Sequence, residues 1–335
     1  MGQYQRGGSG GRQRQPAEPK PFAFVPLPRR VNRSSPTKHD CYQQNRTTGR
    51  IHGTIKALTP IHVGSGIIDF GEHVNQQVEL IKSAMRTKGE IVIPGSSLKG
   101  AIRSTVEAIS ESCVCKTKVN LRHRTLRDFI ECRRNNRNEH LCIACRMFGA
   151  MGYQGNIAIQ DAPLIQGNIE TRRVPILERP RRYTTDNQGR PMRKFYKHGE
   201  VAIGETAFEA CEVDSTFQFS VKIDNLSYAE WGLFFTALGK HPEHPFNLKI
   251  GGAKPRCFGS VDFNIDEIYI DDQQRERYLQ WDSQSDTVKK GNDLETWMNN
   301  CFEKAKNSLI QWNQLRTLIE EIKPPDTNDC PERNY

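Results

Sequence analysis

The sequence has 335 residues, of which 36% are hydrophobic and 26% charged, and a formal net charge of +9. This length supplies a buried core for one elaborated domain or two ordinary ones, and the composition excludes a fibre. No apolar run approaches the roughly 18 residues of a membrane span, and the first segment, MGQYQRGGSGGRQRQPAEPKP, lacks an apolar signal core. We therefore expect a cytoplasmic protein that does not bind membranes.

Positive charge is concentrated in three segments. Residues 1–50 contain ten Lys or Arg against two acidic residues, and residues 112–150 and 168–200 are also basic, whereas residues 264–335 are acidic. Such a distribution is typical of a surface that binds a polyanion such as nucleic acid. The alternative is a solvated basic face without a ligand.

The first predicted elements are a tail and two strands. Residues 1–45 are rich in Gly, Pro, Gln, Arg and Ser without periodicity, so we predict a disordered basic tail. The segment RIHGTIKALTPIHVGSG then shows the two-residue period of a strand from Ile51 to Ala57. GEIVIPG is a second short strand.

The next elements alternate between helices and strands. The stretch LKGAIRSTVEAIS has the apolar spacing of a helix, which we predict over residues 97–110 with Ser96 or Ser97 as the N-cap. GNIAIQDAPLI and FEACEVDSTFQFSVKID follow as strands. SYAEWGLFFTALG is predicted to be a helix that ends before Gly239, and VDFNIDEIYI a last strand.

The order strand, helix, strand, strand, helix, strand predicts an α+β fold with a ferredoxin-like (RRM-like) core. In this arrangement one sheet face carries the helices, and many RNA-binding modules use the other face. We assign the core to residues 46–270, with insertions at 112–147 and 166–210. Residues 271–335 are predicted to be an acidic helical extension, whose apolar stripe around Trp297 packs against its own domain or a neighbour.

Two glycine-rich basic loops suggest a phosphate ligand. IVIPGSSLKGAIRS, residues 91–104, is not a nucleotide-binding P-loop, because Lys99 precedes Gly100 and no Ser or Thr follows the lysine. It predicts instead a helix N-terminus whose amides, hydroxyls and lysine attract an anion. IGGAKPRCFGSV, residues 250–261, has the same character, and two such loops favour a nucleic-acid backbone over a solvated turn.

Five of the ten cysteines lie between residues 113 and 145. The CIAC turn can present two thiolates to one tetrahedral ion, and upstream cysteines can complete the set. We predict a structural Zn²⁺ site formed by Cys115, Cys132, Cys142 and Cys145. The alternative ligands are Cys113, His123 and His140. A redox-active dithiol is the other alternative, but no thioredoxin-like unit surrounds this motif. Scattered cysteines such as Cys257 are expected to be small buried apolar residues.

Four motifs also resemble those of a known family. PIHVGSG, IPGSSLKGAIRS, CIACRMFGAMG with GNIAIQDAPL, and IGGAKPRCFGSV occur in the order and approximate spacing of the RAMP superfamily of CRISPR-associated proteins. Over residues 50–265 the sequence resembles the backbone subunits of type III CRISPR effector complexes, where similar zinc knuckles precede the same FG motif.

This resemblance implies the partners of the protein and the role of one insertion. The partners would be CRISPR RNA, target RNA, other RAMP-type backbone subunits and a large effector subunit. Residues 166–210 would form a thumb-like β-hairpin. Because phosphate contacts do not read sequence, specificity would come from base pairing with the guide.

By the same resemblance, three groups of residues would contact RNA. The helix start would contribute Ser96, Ser97, Lys99 and Arg103. The second glycine-rich loop would contribute Gly251, Gly252, Lys254 and Arg256. The thumb would contribute the arginines of its basic segment, including Arg172, Arg173, Arg181 and Arg182.

The resemblance leaves the question of catalysis open. Type III backbone subunits that cleave target RNA use a loop aspartate, which together with a divalent metal such as Mg²⁺ brings the 2′-hydroxyl into line. The corresponding loop here, GSGIIDFGEHVNQQVELI, contains Asp69, whereas relatives tend to have the aspartate near the position of Asn75. The protein is therefore either a target-RNA endoribonuclease with Asp69 as catalytic residue or a non-catalytic scaffold. A guide-processing endoribonuclease that uses His52 or His62 is a third alternative, but both lie in strand-like runs.

Overall fold

The computed structural model describes most of the chain. The described residues are 20–41, 43–114, 124–134, 139–177, 185, 189–271, 287–324 and 330–331. Of the predicted site residues, Cys115, His123, Arg181 and Arg182 lie outside these ranges. The described part has a mixed α+β fold, as the sequence predicts.

The described residues contain the following elements. The strands are β1 Phe22–Pro26, β2 Arg33–Ser34, β3 Thr47–Ala57, β4 Gly64–Phe70, β5 Leu80–Ala84, β6 Arg86–Thr87, β7 Glu90–Ile93, β8 Leu141–Cys142, β9 Ile157–Ile159, β10 Ala162–Gln166, β11 Ile169–Val174, β12 Met192–Tyr196, β13 Thr206–Cys211, β14 Thr216–Leu226, β15 Leu248–Lys249, β16 Ser260–Asp271 and β17 Thr287–Lys290. The α-helices are α1 Gly95–Ile109, α2 Ile143–Phe148, α3 Tyr228–Ala237, α4 Gly291–Lys306 and α5 Trp312–Ile322. Short 3-10 helices span Gly71–Val74, Arg124–Phe129 and Lys254–Arg256. Among the described helices, none has the length and apolar character needed to cross a membrane.

A nine-stranded sheet forms the centre of the fold. Its order is β15, β16, β3, β14, β10, β7, β6, with β17 beside β16 and β9 beside β14. The alternation predicted for β3 is confirmed, because Ile51 and Ile55 are fully buried while Lys56 is exposed. Phe219 of β14 and Phe263 of β16 belong to the same core, with ring centroids 5.0 Å apart. The sheet therefore has an apolar face that carries the core and a polar face.

Helix α3 has the boundaries that its sequence predicts. Ser227 and Glu230 form a reciprocal capping box at its start, which satisfies two backbone amides. Gly239 follows its C-cap with φ of 80°, in the left-handed region that glycine adopts without strain.

The carboxy-terminal helices are packed into the core. The Trp231 and Trp297 rings of α3 and α4 lie 5.1 Å apart. A Cβ atom at Gly232 would lie 2.1 Å from the carbonyl oxygen of Cys301, so only glycine permits this close helix contact. The predicted apolar stripe of the extension thus packs against its own domain.

Helix α1 begins two residues earlier than predicted, and its cap differs. Pro94 is at the N-cap position, whereas Ser96 and Ser97 lie in the first turn. The Gly95 amide donates to Oδ1 of Asp161, at 2.8 Å. A carboxylate from a distant segment therefore replaces the local serine cap that we predicted.

A second sheet, separate from the nine-stranded one, has four strands in the order β11, β13, β5, β4. It joins two segments that are distant in sequence, because β4 carries Asp69 and β11 belongs to the predicted thumb. Gln76, which follows β4, accepts a hydrogen bond from Thr171 of β11 at 2.7 Å. The β11–β13 pair forms two antiparallel strands of the 166–210 insertion, while β12 leaves it to pair with β1.

The amino-terminal segment differs from the predicted disordered tail. Residues 22–26 form β1, which pairs with β12, and Val25 and Leu27 are buried. The apolar residues of FAFVPLP supply this strand, but the surrounding Gly, Pro and Gln dominate the composition of residues 1–45. Residues 1–19 lie outside the described ranges.

One cysteine pair also differs from expectation. Cys257 and Cys330 form a disulfide with Cα atoms 5.9 Å apart, although we expected Cys257 to be a free buried cysteine. The bond joins the carboxy-terminal segment to the second glycine-rich loop. Sequence spacing could not reveal this pair because 73 residues separate the two cysteines.

Candidate functional site

The two glycine-rich loops face one groove. It consists of two adjoining cavities, with volumes of about 450 Å³ and about 180 Å³, that share Ser104 of α1 and Arg193 of β12. The larger cavity contains Lys99 of the first loop, and the smaller contains Lys254 of the second. We call these two cavities the basic groove, because Glu107 is the only acidic one of the described residues that line them.

The start of α1 provides an exposed edge of the basic groove. Ser96 and Ser97 are exposed, and Lys99 is half-buried with its Nζ donating to the first carbonyl of β9 at 3.0 Å. Burial lowers the pKa of Lys99. Because Asp161 already accepts the Gly95 amide, an anion here would be bound by the lysine and the serine hydroxyls.

Arg103 lies on the same helix and lines the larger cavity, but its guanidinium is bonded to groups of the fold. Its guanidinium donates to Oε1 of Glu107 at 2.7 Å, to the Gly149 carbonyl at 2.8 Å and to Sγ of Cys145 at 3.1 Å. We predicted an RNA contact for Arg103, but these three hydrogen bonds hold its guanidinium against groups of the protein itself. Charge and spacing alone do not show whether an arginine points inward.

Besides Lys194, two further basic residues that line the groove were missed by sequence reasoning. Arg193 pairs with Oε2 of Glu107 and donates to Oγ of Ser104 at 2.6 Å. Lys249 of β15 lines the smaller cavity, and its Nζ donates to the Phe258 carbonyl at 3.3 Å. Both are distant from α1 in sequence, so only the basic character of residues 168–200 gave a signal for Arg193.

The second glycine-rich loop packs against the core on one side. The Gly252 amide donates to the His62 carbonyl at 2.7 Å, and a Cβ at Gly251 would lie 2.4 Å from the same oxygen. These glycines are therefore needed for close backbone packing. Lys254 lines the basic groove, whereas Arg256 is buried and donates to the carbonyls of Ile176 and Pro331. Our prediction grouped all four as RNA contacts, and of these the groove is lined by Lys254.

Four buried cysteines form a cluster. They are Cys113, Cys132, Cys142 and Cys145. Their sulfur atoms all lie within 4.8 Å of one another, and Sγ of Cys113 is 3.4 Å from Sγ of Cys145 and 3.5 Å from Sγ of Cys142. A tetrahedral site with Zn–S bonds of about 2.3 Å has S–S edges of about 3.8 Å, so the cluster fits zinc. Cys113, a predicted alternative ligand, occupies the fourth corner, and Cys115 lies outside the described residues.

Two arginines donate to this cluster. Nε of Arg33 lies 3.4 Å from Sγ of Cys132, and Nη2 of Arg103 lies 3.1 Å from Sγ of Cys145. The hydrogen bond from Cys113 lowers the pKa of the Cys132 thiol. Four thiolates around a divalent ion carry a net charge of −2, so two guanidinium groups match the charge that such a site would bury.

The family of the chain follows from its sequence profile. The profile of the RAMP superfamily matches residues 54–281, about two thirds of the chain. The chain belongs to the RAMP superfamily. Comparison with curated proteins gave no match. The matched residues include the basic groove, the four clustered cysteines and Asp69, and membership indicates a CRISPR-associated protein with an RNA-binding role.

Asp69 of this RAMP protein lies on the second sheet and outside the basic groove. Its Oδ1 accepts hydrogen bonds from the Phe70 amide at 2.9 Å and from Nδ1 of His73 at 2.8 Å. The His73 hydrogen bond is the main cause of the lowered pKa of Asp69. Asn75 has φ of 58° at the end of the Gly71–Val74 helix, a left-handed conformation that Asn tolerates well. The backbone thus accounts for Asn75 without reference to catalysis.

Two of the predicted thumb arginines of this RAMP protein, Arg172 and Arg173, lie on β11, and neither lines the basic groove. Arg172 forms a bidentate ion pair with Glu212, with Nε 2.7 Å from Oε1. Arg173 is exposed and donates to the Glu205 carbonyl at 3.3 Å. Any RNA contact by these two residues would therefore occur on the second sheet.

Proposed function

We propose that this RAMP protein is a backbone subunit of a type III RNA-guided effector complex that binds CRISPR RNA in the basic groove. The observation that carries the proposal is the convergence of Lys99 and Lys254, from two loops about 150 residues apart, on one groove. Arg193 and Lys249 add positive charge between them. Neutralisation of backbone phosphates by such residues supplies affinity without sequence preference. A subunit that must bind guide RNAs of different sequence requires this kind of binding.

The strand order supports a ferredoxin-like core for this subunit. The strands β16, β3, β14 and β9 are antiparallel neighbours in that order. Helix α1 connects β3 to β9 through intervening strands, and α3 connects β14 to β16. This matches the split βαβ arrangement, with the second sheet added outside it.

Replacing Lys99 with methionine is expected to weaken binding of single-stranded RNA about threefold to tenfold and to reduce the salt slope by about 1, since one phosphate contact is lost. Fluorescence anisotropy across a salt series measures both quantities. Lys290→Met is the matched control, because Lys290 is exposed on β17 and pairs with Glu267 outside the groove. Equal losses in both variants would show that net charge, and not the groove, determines affinity.

We further propose that the second sheet faces the target RNA and neighbouring subunits. It combines Asp69 and the β11 arginines with large exposed apolar side chains, which are unusual on an isolated surface. The most exposed of these on β4 and β5 are Ile67, Ile68, Phe70 and Leu80. A surface of this kind suits contacts with bases and with another protein chain.

Cleavage of target RNA by Asp69 is part of this proposal. A divalent ion would supply charge stabilisation at the scissile phosphate. However, the four-cysteine set is the only cluster of three or more metal-ligating side chains among the described residues, so the Asp69 region does not form a pre-built metal site. The chain itself offers the Asp69 carboxylate, whose Oδ1 is held by Phe70 and His73, to accept the 2′-hydroxyl proton.

In the Asp69→Asn variant, the rate of cleavage opposite this subunit is expected to fall about 100-fold or more, because the amide cannot accept the proton. RNA binding should be retained. The assembled complex with labelled target RNA provides the measurement. Asp214→Asn, an exposed residue that pairs with Lys56, is the control. Unchanged cleavage would favour the non-catalytic scaffold. That alternative is supported by the two hydrogen bonds that Oδ1 of Asp69 already accepts within the protein. Guide processing by His62 is disfavoured, since His62 is buried with Nδ1 bonded to the Glu209 carbonyl at 2.7 Å.

A further inference from the structure

The smaller cavity of the basic groove has an unusual charge distribution. The residues that line it include one arginine and three lysines, which are Arg193, Lys194, Lys249 and Lys254. Among the described residues, no Asp or Glu lines it. Its volume of about 180 Å³ corresponds to about six water molecules at their share of about 30 Å³ each. A cavity of this size and charge suits one small anion.

The first two of these cations are already engaged. Arg193 forms an ion pair with the Glu107 carboxylate, which it shares with Arg103, so this set keeps one positive charge. Lys194 lies with its Nζ 3.8 Å from the centroid of the Phe22 ring and 4.7 Å from that of Tyr196, so aromatic faces offset part of its charge.

Lys249 and Lys254 are different, because neither forms an ion pair with a carboxylate of the described residues. Burial lowers the pKa of Lys249 to about 7, and the neighbouring charge of Lys254 contributes to this shift. Burial also lowers the pKa of Lys254 to about 8. Both side chains remain partly exposed, so a ligand in the cavity can reach them. Two like charges held together without a counter-charge are costly unless an anion joins them.

The remaining polar groups of the cavity do not supply that counter-charge. His198 has Nδ1 2.8 Å from Oγ of Ser260 and Nε2 3.1 Å from the Asn247 carbonyl, and burial lowers its pKa to about 4. It is therefore neutral near pH 7. From α1, Ser104 and Thr105 contribute hydroxyl groups, and from α5 only Ile322 reaches the cavity.

We propose that this cavity is a phosphate-binding subsite in which Lys249 and Lys254 together bind one phosphate group. The proposal rests on the RNA-binding function proposed above and adds that one phosphate enters the smaller cavity while the others lie along the rest of the basic groove. The phosphate can come from the RNA backbone or from a terminal or free phosphate. Binding favours the charged form of both lysines, so the protein takes up protons when the phosphate enters.

The sign of the pH dependence follows from this uptake. Below about pH 7 both lysines are already protonated in the free protein, and binding needs no proton. As pH rises through 7 and 8 the lysines lose their protons, and binding must restore them. Affinity for a phosphodiester, which does not itself titrate in this range, therefore falls as pH rises.

The test uses the full chain and a fluorescein-labelled single-stranded RNA with a 5′-hydroxyl end. For the unmodified protein, affinity is expected to fall at least about tenfold between pH 6.5 and pH 8.5. In Lys249→Met and in Lys254→Met, each of which removes one of the two titrating groups, the fall is expected to be smaller than in the unmodified protein. In the double variant it is expected to shrink to about threefold or less. Lys290→Met should retain the full pH dependence. Thermal unfolding of each variant shows whether the fold is intact.

Each outcome has one meaning. If the unmodified protein binds RNA but both lysine variants keep its pH profile, the subsite is overturned and the proposed function stands. If the protein binds no RNA at any pH, the proposed function itself fails. A 5′-phosphorylated RNA and inorganic phosphate as competitor identify the source. Equal binding of both RNAs indicates a backbone phosphate, whereas tighter binding of the phosphorylated RNA and competition by phosphate indicate a terminal one.

Discussion

Replacement of Cys142 by serine is expected to abolish metal binding and to lower the free energy of unfolding by at least about 5 kcal/mol, because structural zinc contributes on the order of 10 kcal/mol in isolated zinc-binding units. Cys142 is fully buried at the N-cap of α2, and its Sγ lies 3.5 Å from Sγ of Cys113. A serine hydroxyl is a poor zinc ligand, and three thiolates would remain buried without the ion.

Metal analysis of the purified chain and thermal unfolding with and without a chelator provide the measurements. The unmodified protein should contain about one zinc ion per chain and lose stability in chelator, as a closed thiolate site requires. Cys41→Ser is the control, because Cys41 is an exposed free cysteine outside the cluster. A metal content near zero in the unmodified protein, with a chelator-independent melting temperature, would contradict a zinc site.

The second large effect is expected for Glu107→Gln, which should lower the free energy of unfolding by about 3–5 kcal/mol and the melting temperature by about 10 °C. The Glu107 carboxylate is 1% exposed and accepts hydrogen bonds from both Arg103 and Arg193. A neutral amide would leave two partly buried guanidinium groups without their counter-charge. Since Arg103 also donates to Cys145, zinc affinity should fall in the same variant.

Asp214→Asn provides the matched comparison. Asp214 pairs with Lys56, but both side chains are more than half exposed, so the change in stability should stay within about 0.5 kcal/mol. Chemical denaturation of both variants tests the contrast. Similar stabilities for Glu107→Gln and Asp214→Asn would show that the arginine pair is solvated and does not depend on Glu107.

Sequence patterns predicted most of the core but little of how its charges are used. The alternation of apolar and polar residues located β3 and β14, and the capping residues located α3. In such segments the local sequence determines burial and backbone geometry. The CIAC turn located the cysteine cluster for the same reason. Asp161, which caps α1, was not predictable, because it lies 66 residues from Gly95.

The assignment of individual arginines shows where local patterns stop being informative. Arg103 and Arg256 occur in basic loops, yet each donates to groups inside the protein. Lys249 gave no signal, although the fold places it beside Lys254. Side-chain direction depends on long-range packing, and composition carries no information about it.

The pairing of β1 with β12 has a consequence for the order in which the groove is completed. β1 cannot form its strand pair until residues 192–196 have been synthesised. β12 carries Arg193 and Lys194, and the adjoining His198 amide donates to the Ile322 carbonyl of α5 at 2.9 Å. Closing such long loops is slow compared with forming a helix. The smaller cavity of the basic groove is therefore completed only once residue 322 has been synthesised, because shorter nascent chains lack the wall that β12 and α5 form together.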